Sequence, residues 1–354
     1  MPIHDLKRLT TGERIQHPFL VLDVQTRSYG ADKDCTVLTL GNASGRIDSA
    51  PFWGADQQRV AGVTKGLVAQ IIGEVGEYRG KRQLNITSIR VLPAGQVDPA
   101  DLLPSVGDPE PYWRKLDEWR RAVRGPRLRK TLALFFEDDA FRQRFAQCPA
   151  SPQGHHAALG GLLKHVLEVA AIGRTIAKVS GGDDDLVLAG ALLHDIGKLE
   201  CYRWNGVFDY TDAGRLFGHV VLGALMFDRA LRACDPMPCQ EDEAALIQHL
   251  ILSHHGQLEF GAAVPPMTLE AEILHYADNA SAKSASMADA LADPDNFAED
   301  ALVSARTIWQ LDRRRAYRGK FDWGERADGQ ADTRATGNGE GPTAYDLGLM
   351  TPMP

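Results

Sequence analysis

Between residues 15 and 92 apolar positions alternate with polar ones in short runs separated by glycine, and beyond residue 150 they recur at helical spacing instead. The runs Phe19 to Gln25, Cys35 to Leu40, Gly45 to Phe52, Gly66 to Val75 and Gln83 to Val91 each predict a strand, because a period of two places successive side chains on opposite faces of a sheet. Short strands packed this closely along the chain predict a small barrel, and an OB-fold fits their number and spacing. In such a barrel Phe52, Trp53 and Tyr78 would either offer stacking surfaces to bases or close the core.

Residues 93–150 read as a connection. The stretch Pro93 to Pro111 is rich in Pro, Asp and Gly and predicts a linker, after which Tyr112 to Gln147 turns helical. The basic residues Arg120, Arg121, Arg124, Arg127, Arg129 and Lys130 there would hold phosphates or form a solvated helix face. Over residues 151–320 the apolar set Leu162, Leu163, Val166, Val169 and Ala170 has the spacing of a helix buried on one side, and strand-like alternation nearly vanishes. Residues 325–354, rich in Gly, Ala, Thr and Asp, predict a disordered tail. The expected fold is thus multidomain, a small N-terminal β-barrel followed by an all-α domain.

Composition changes this picture little. The 354 residues are 44% hydrophobic and 24% charged, which is ordinary for globular protein. Apolar stretches such as Leu186 to Leu193 stop well short of the roughly 18 residues of a membrane span, so no membrane partner is expected. The N-terminus lacks the order of a secretory signal, which points to the cytoplasm. Cys35, Cys148, Cys201, Cys234 and Cys239 share no CxxC spacing and read as reduced packing residues. A net charge of −8 argues against a protein that coats nucleic acid by bulk electrostatics, but a local basic groove or a metal site stays compatible with a phosphate substrate.

The chemistry concentrates in the helical half. There an apolar run ends in His194 and Asp195, followed by Ile196, Gly197 and Lys198. An imidazole beside a carboxylate at the end of a buried helix needs a cation or a partner. Gly197 is expected to end that helix in a left-handed cap and to project Lys198 toward the site. His165 lies on the helix that begins near Leu162, His219 follows a glycine, His254 and His255 close another apolar helix before Gly256, and Asp278 sits on a helix whose apolar positions face a core. Mixed imidazole and carboxylate donors suit Mn²⁺, Fe²⁺, Co²⁺ or Zn²⁺, and seven donors exceed what one ion with open positions requires. Two divalent ions are therefore expected. Asp195 would bridge them, with His165, His194 and Asp278 at one ion and His219, His254 and His255 at the other, roughly 3.5 to 4 Å apart.

The order H, HD, H, HH, D resembles the two-metal members of the HD superfamily of metal-dependent phosphohydrolases. The phrases His155-His156-Ala-Ala-Leu-Gly-Gly-Leu-Leu-Lys-His165, Ala-Leu-Leu-His194-Asp195-Ile-Gly-Lys198, Thr211-Asp212-Ala-Gly-Arg215-Leu-Phe-Gly-His219 and Ser253-His254-His255-Gly256 are similar to those of YhaM-like 3'-to-5' exoribonucleases, which join an OB-fold to an HD domain. The similarity covers roughly residues 15 to 320 and is carried by the helical half. It implies removal of nucleotides from the 3' end of single-stranded RNA, or of DNA, with Mn²⁺ or a similar ion such as Mg²⁺, and homo-oligomerisation is left open. It makes Asp195 and Lys198 the catalytic pair, Lys198 as a phosphate contact. His155, His156, Arg215, Asn279 and Lys283 become candidates for substrate contact. The Gly160-Gly161 pair would let a nucleotide approach the backbone or would serve helix packing. Arg313, Arg314, Arg315, Arg318 and Lys320, with Trp309 and Tyr317 between them, would guide a strand or form a solvated helix end. The Gly-Tyr-Pro signature of cyclic-dinucleotide enzymes is missing after Lys198, where Leu-Glu-Cys-Tyr follows. Two rival readings are a phosphohydrolase of small nucleotides and a non-catalytic single-strand binding protein with a relic metal site.

Overall fold

The computed structural model describes residues 5–28, 34–298 and 300–319. The expected tail and Lys320 lie outside the described residues. The N-terminal part is an antiparallel sheet of β1 (Arg14–Ser28), β2 (Asp34–Asn42), β3 (Gly45–Asp48), β4 (Phe52–Trp53), β5 (Val68–Tyr78) and β6 (Lys81–Val91), in the order β3-β2-β1-β5-β6 with β4 against β2. The long β1 carries a bulge between Val21 and Asp23, and it pairs with β5 through Leu20 and with β2 onward from there.

The single run expected from Gly45 to Phe52 is split into β3 and β4. Pro51 between them has no N–H to give to a ladder. Among the described residues the sheet has the open order β3-β2-β1-β5-β6, and the expected closed barrel is not seen. Between β3 and β6 the described residues show only a bridge at Ser49 and Leu84, where Ala50 N–H donates to the Leu84 carbonyl at 2.9 Å. Phe19, Leu38, Leu40, Ile71 and Leu84 fill the inner face, and Phe52 joins them there. Trp53 and Tyr78 stay 46% and 59% exposed, so of the three rings only Phe52 serves the core.

Three helices, α1 (Glu110–Ala122), α2 (Pro126–Phe136) and α3 (Asp139–Phe145), lead into α4 (Gly161–Ser180), whose residues Leu162, Leu163, Val166, Val169 and Ala170 are fully buried. Around α4 pack α5 (Asp184–Leu193), α6 (Lys198–Cys201), a hairpin of β7 (Tyr202–Arg203) and β8 (Asp209–Tyr210), α7 (Asp212–Arg232), α8 (Glu241–Ser253) and α9 (Leu269–Ala292). Side-chain caps start them: Asp183 accepts from Leu186 N–H before α5, Thr211 from Gly214 N–H before α7 and Thr268 from Ala271 N–H before α9. Four of the five cysteines are buried and none is bridged, as expected.

Four of the six residues of the basic cluster are engaged in structural bonds, while Arg121 and Lys130 are exposed on the surface. Arg120 binds Asp117 and Glu137, Arg124 binds Asp185, Arg127 forks onto Glu243, and Arg129 donates to the Val123 carbonyl. The segment of Arg313 to Arg318 is no helix end: a short 3-10 turn at Trp309–Leu311 is followed by isolated bridges, and Arg315 and Arg318 donate to the carbonyls of Ser304 and Ala301.

The linker does not run free. Val106 N–H donates to Leu159 and Leu159 N–H to Pro104, while Leu20, Val68, Leu92, Leu102 and Leu103 form one apolar cluster against which Val207 and Phe208 of the hairpin pack. Lys65 reaches Asp209 at 2.9 Å and Arg82 reaches Asp295 at 2.7 Å, so sheet and helices meet through both apolar and charged contacts. Among the described residues no helix is long and apolar enough to cross a membrane.

Candidate metal centre

Five helix ends or helix faces deliver donors to one point. His194 is the C-cap of α5, and Asp195 follows in a turn that α6 continues. Gly197 is right-handed, with φ −63°, so the expected left-handed cap is wrong. Its glycine is needed for another reason: a Cβ there would overlap the carbonyl of His219 and the backbone of Gly223, so its bareness lets α7 lie directly on the His194-Asp195 turn. His219 follows Gly218, whose φ of 70° and ψ of 162° break α7 and set the start of the second segment. His254 is the C-cap of α8, and Gly256 (φ 77°) turns the chain away after His255. His165 comes from α4 and Asp278 from α9, which pack side by side.

The two oxygens of Asp195 face different partners. Oδ2 lies 3.1 Å from His194 Nε2, 3.4 Å from His165 Nε2 and 2.5 Å from Lys198 Nζ. Oδ1 lies 3.3 Å from His219 Nε2 and 3.8 Å from His254 Nε2. Asp278 Oδ1 is 3.1 Å from His165 Nε2. Donor atoms converge in three overlapping groups: His165, His194 and Asp195; His194, His254 and Asp278; and His219, His254 and His255.

The imidazoles are oriented before any ion arrives. Nδ1 of His194, His254 and His255 sits 2.8, 2.7 and 2.7 Å from the carbonyls of Ala191, Ile251 and Phe260. A carbonyl only accepts, so each Nδ1 carries the proton and each Nε2 keeps its lone pair. The Nε2 atoms of His165, His194, His219 and His254 and Oδ1 of Asp195 are buried with no directed hydrogen bond. Buried acceptors without donors are costly, and so many aimed at one point fit a divalent cation.

The electrostatics agree. Burial drives His219 down to about 3 and His254 well below its ordinary value. Burial works the same way on His165, but the carboxylates of Asp195 and Asp278 overcome it and push the ring up to about 9. Burial opposes the charge of Asp195, yet His194 and Lys198 hold its carboxyl well below the usual range. Asp278 is likewise depressed by His165 against the effect of burial. His219, His254 and His255, which burial keeps neutral, and two ionised carboxylates are donors a borderline divalent ion takes, and an ion bound there would displace the proton that the carboxylates hold on His165.

The candidates for substrate contact divide. His155 and His156 lie at the cluster, with ring centroids 5.4 and 6.0 Å from that of His165, and burial lowers His155 to about 3. Arg215 instead binds Asp209 and covers the ring of Tyr210, Lys283 binds Asp312, and Asn279 is exposed on α9. Trp53 and Tyr78 remain on the sheet. The expected nucleotide approach at Gly160 and Gly161 is not available, since Val106 and the His156 carbonyl occupy the places their side chains would take. Two residues that sequence reasoning passed over, Glu168 and Ser281, hydrogen-bond at the edge of the cluster. Each lies three positions after a donor, Glu168 after His165 and Ser281 after Asp278, which is the spacing of neighbours on one helix face.

Comparison with known proteins gives a consistent result. The HD domain family matches residues 162–283. The 3'-5' exoribonuclease YhaM of Oceanobacillus iheyensis is 31% identical over 324 residues, 89% of this chain and 97% of that protein. The protein of the same name from Bacillus subtilis is 32% identical over 285 residues, 79% of this chain and 88% of its own. The HD domain of the phosphodiesterase PgpH of L. monocytogenes is similar over 37% of this chain and 74% of that one at 23% identity, with a TM-score of 0.26, too low to carry weight. With the donor order, the converging helices and two relatives aligned across sheet and helices alike, the chain belongs to the YhaM family of HD-domain proteins.

Proposed function

We propose that the protein is a metal-dependent 3'-to-5' exonuclease of the cytoplasm that acts on single-stranded RNA, with single-stranded DNA as a second substrate, and releases nucleoside monophosphates. The observation that carries this reading is the division of Asp195, whose Oδ2 faces His165 and His194 while its Oδ1 faces His219 and His254. A carboxylate so placed is suited to bridge two ions. His165, His194 and Asp278 would complete one, and His219, His254 and His255 the other. Mn²⁺ is the ion proposed first, and Fe²⁺, Co²⁺, Zn²⁺ and Mg²⁺ are the alternatives. Bound there, divalent ions would polarise a phosphodiester and make a water acidic enough to attack it near neutral pH.

The chain supplies the rest. Lys198, only 6% exposed and held on Asp195, keeps a fixed positive charge at the floor of the site, where it offsets charge developing on the non-bridging oxygens. His155 and His156 border the site from the loop before α4. Residues 15–92 form an OB-like platform on which Trp53 and Tyr78 stack bases of a polymer, residues 93–150 connect it, and residues 151–320 hold the chemistry. The names of the relatives support RNA and the 3'-5' direction.

The test is incubation with Mn²⁺ and 5'-labelled single-stranded RNA or DNA beside an Asp195→Ala control, with products resolved by length. A ladder shortening from the 3' end, absent in the control, is expected. Inert oligomers alongside hydrolysis of small phosphodiesters would overturn the proposal in favour of a small-nucleotide enzyme.

A further inference from the structure

Glu168 and Ser281 form a continuous path to His165. Nδ1 of His165 is 3.1 Å from Ser281 Oγ, Ser281 Oγ is 2.9 Å from Glu168 Oε2, and the same carboxylate oxygen is 2.7 Å from His156 Nε2. Lys164, one helical turn earlier, adds a positive charge 3.9 Å from the other oxygen.

The direction of each hydrogen bond follows from the acceptor at the centre. Burial works against a charge on Glu168, but the bonds to His156 and Ser281 and the nearby Lys164 hold its carboxyl below the ordinary range. An ionised carboxylate only accepts, so Ser281 O–H must donate to it, and the serine oxygen then accepts the proton on His165 Nδ1. Once the ring gives up its second proton to an arriving ion, this leaves the lone pair of His165 on Nε2, toward Asp195 and Asp278. His194, His254 and His255 receive the same instruction from main-chain carbonyls, which no substitution removes. Of these four rings, His165 is the one whose tautomer is set by side chains.

We propose that Glu168, acting through Ser281, is the positioning residue that fixes the tautomer of His165, and that its bond to His156 ties the loop bordering the site to the same carboxylate. The proposal rests on the reading of His165 as a metal ligand. Groups that orient a ligating histidine are worth on the order of 10- to 100-fold in metal affinity.

The test titrates the full-length, metal-stripped protein with Mn²⁺ alone by calorimetry, for the wild type and for His165→Ala, Ser281→Ala, Glu168→Gln and His156→Ala. Thermal melts of the metal-free forms show which variants are folded, and having Ser281 and Glu168 on separate helices keeps the test valid if one variant is not. His165→Ala is expected to lose one bound ion. Ser281→Ala and Glu168→Gln are expected to keep the number of ions while one of them binds about 10- to 100-fold more weakly. His156→Ala removes the loop arm but keeps Lys164 and Ser281 on the Glu168 carboxylate, and it is expected to weaken Mn²⁺ binding less than Ser281→Ala does while raising KM for RNA. A His165→Ala variant that binds as the wild type overturns the ligand reading. Loss of an ion in His165→Ala, with Ser281→Ala and Glu168→Gln binding as the wild type, overturns the positioning role alone. Equal weakening in His156→Ala also overturns it, since general loosening would then explain the effect.

Discussion

At the scale of single residues, Asp195 and Lys198 cannot be separated. Asp195 is 1% exposed and Lys198 6%, with 2.5 Å between their charged atoms. Replacing Asp195 by Ala strands the ammonium in the interior, where loss of one partner of a buried pair costs about 3–5 kcal/mol, and urea unfolding of the metal-free protein should show that loss. If Asp195 bridges two ions as proposed, turnover should fall by on the order of 10³-fold or more, since several kcal/mol of charge stabilisation would disappear with it. The double variant Asp195→Ala with Lys198→Met should regain stability and stay inactive. The cluster of histidines and aspartates was legible in the sequence because such residues at the ends of apolar helices contradict their surroundings. Glu168 and Ser281 gave no such contradiction: both residue types are ordinary on a helix, and only the packing of α4 on α9 brings them together.

At the scale of elements, two glycines show what a linear pattern misses. The sequence made Gly197 the left-handed end of α5, but that helix is capped at His194 and Gly197 is a right-handed residue before α6, needed because the backbone of α7 lies against it. That approach depends on a tertiary contact with residues 219–223, and local propensity carries no trace of it. Gly218 does hold a left-handed φ, of 70°. Gly218→Ala should therefore cost about 1–3 kcal/mol in strain and, by turning His219, weaken Mn²⁺ binding, which melting and calorimetry on one sample would separate. In the helices before α4, Asp117 joins α1 to α3 through Arg142 at 3.1 Å and also holds Arg120 of its own helix at 2.7 Å. Burial opposes its charge, but the two guanidinium groups lower it from its ordinary 3.8. A depressed carboxyl stabilises the fold above its unfolded value and loses that contribution as pH falls through its folded one. Asp117→Asn should thus melt earlier than the wild type by about 1.5–3 kcal/mol at neutral pH, and the gap should close as the pH is taken below 3.8.

At the scale of the whole molecule, strand alternation made the sheet visible in advance but not its open order, in which the described residues join β3 to β6 only by a bridge between Ser49 and Leu84, a long-range contact that alternation does not encode. The exposed rings on that sheet define the next expectation. Trp53→Ala or Tyr78→Ala should weaken single-stranded RNA binding by about 1–3 kcal/mol each while leaving hydrolysis of a mononucleotide diester unchanged, as a comparison of KM values would read. Metal should also report on the entire fold: Mn²⁺ at 1,000 times its dissociation constant should add about 4 kcal/mol, seen as a rise in melting temperature that a chelator reverses. The carbonyl-pinned rings of His194, His254 and His255 carry a further implication, for how the protein acquires its ions. Their lone pairs already point inward, so loading demands no refolding, only that the arriving cation shed its water. Stripped protein should accordingly be rechargeable with one kind of divalent ion after another on a single preparation, and the species it carries would follow from which ion is most freely supplied.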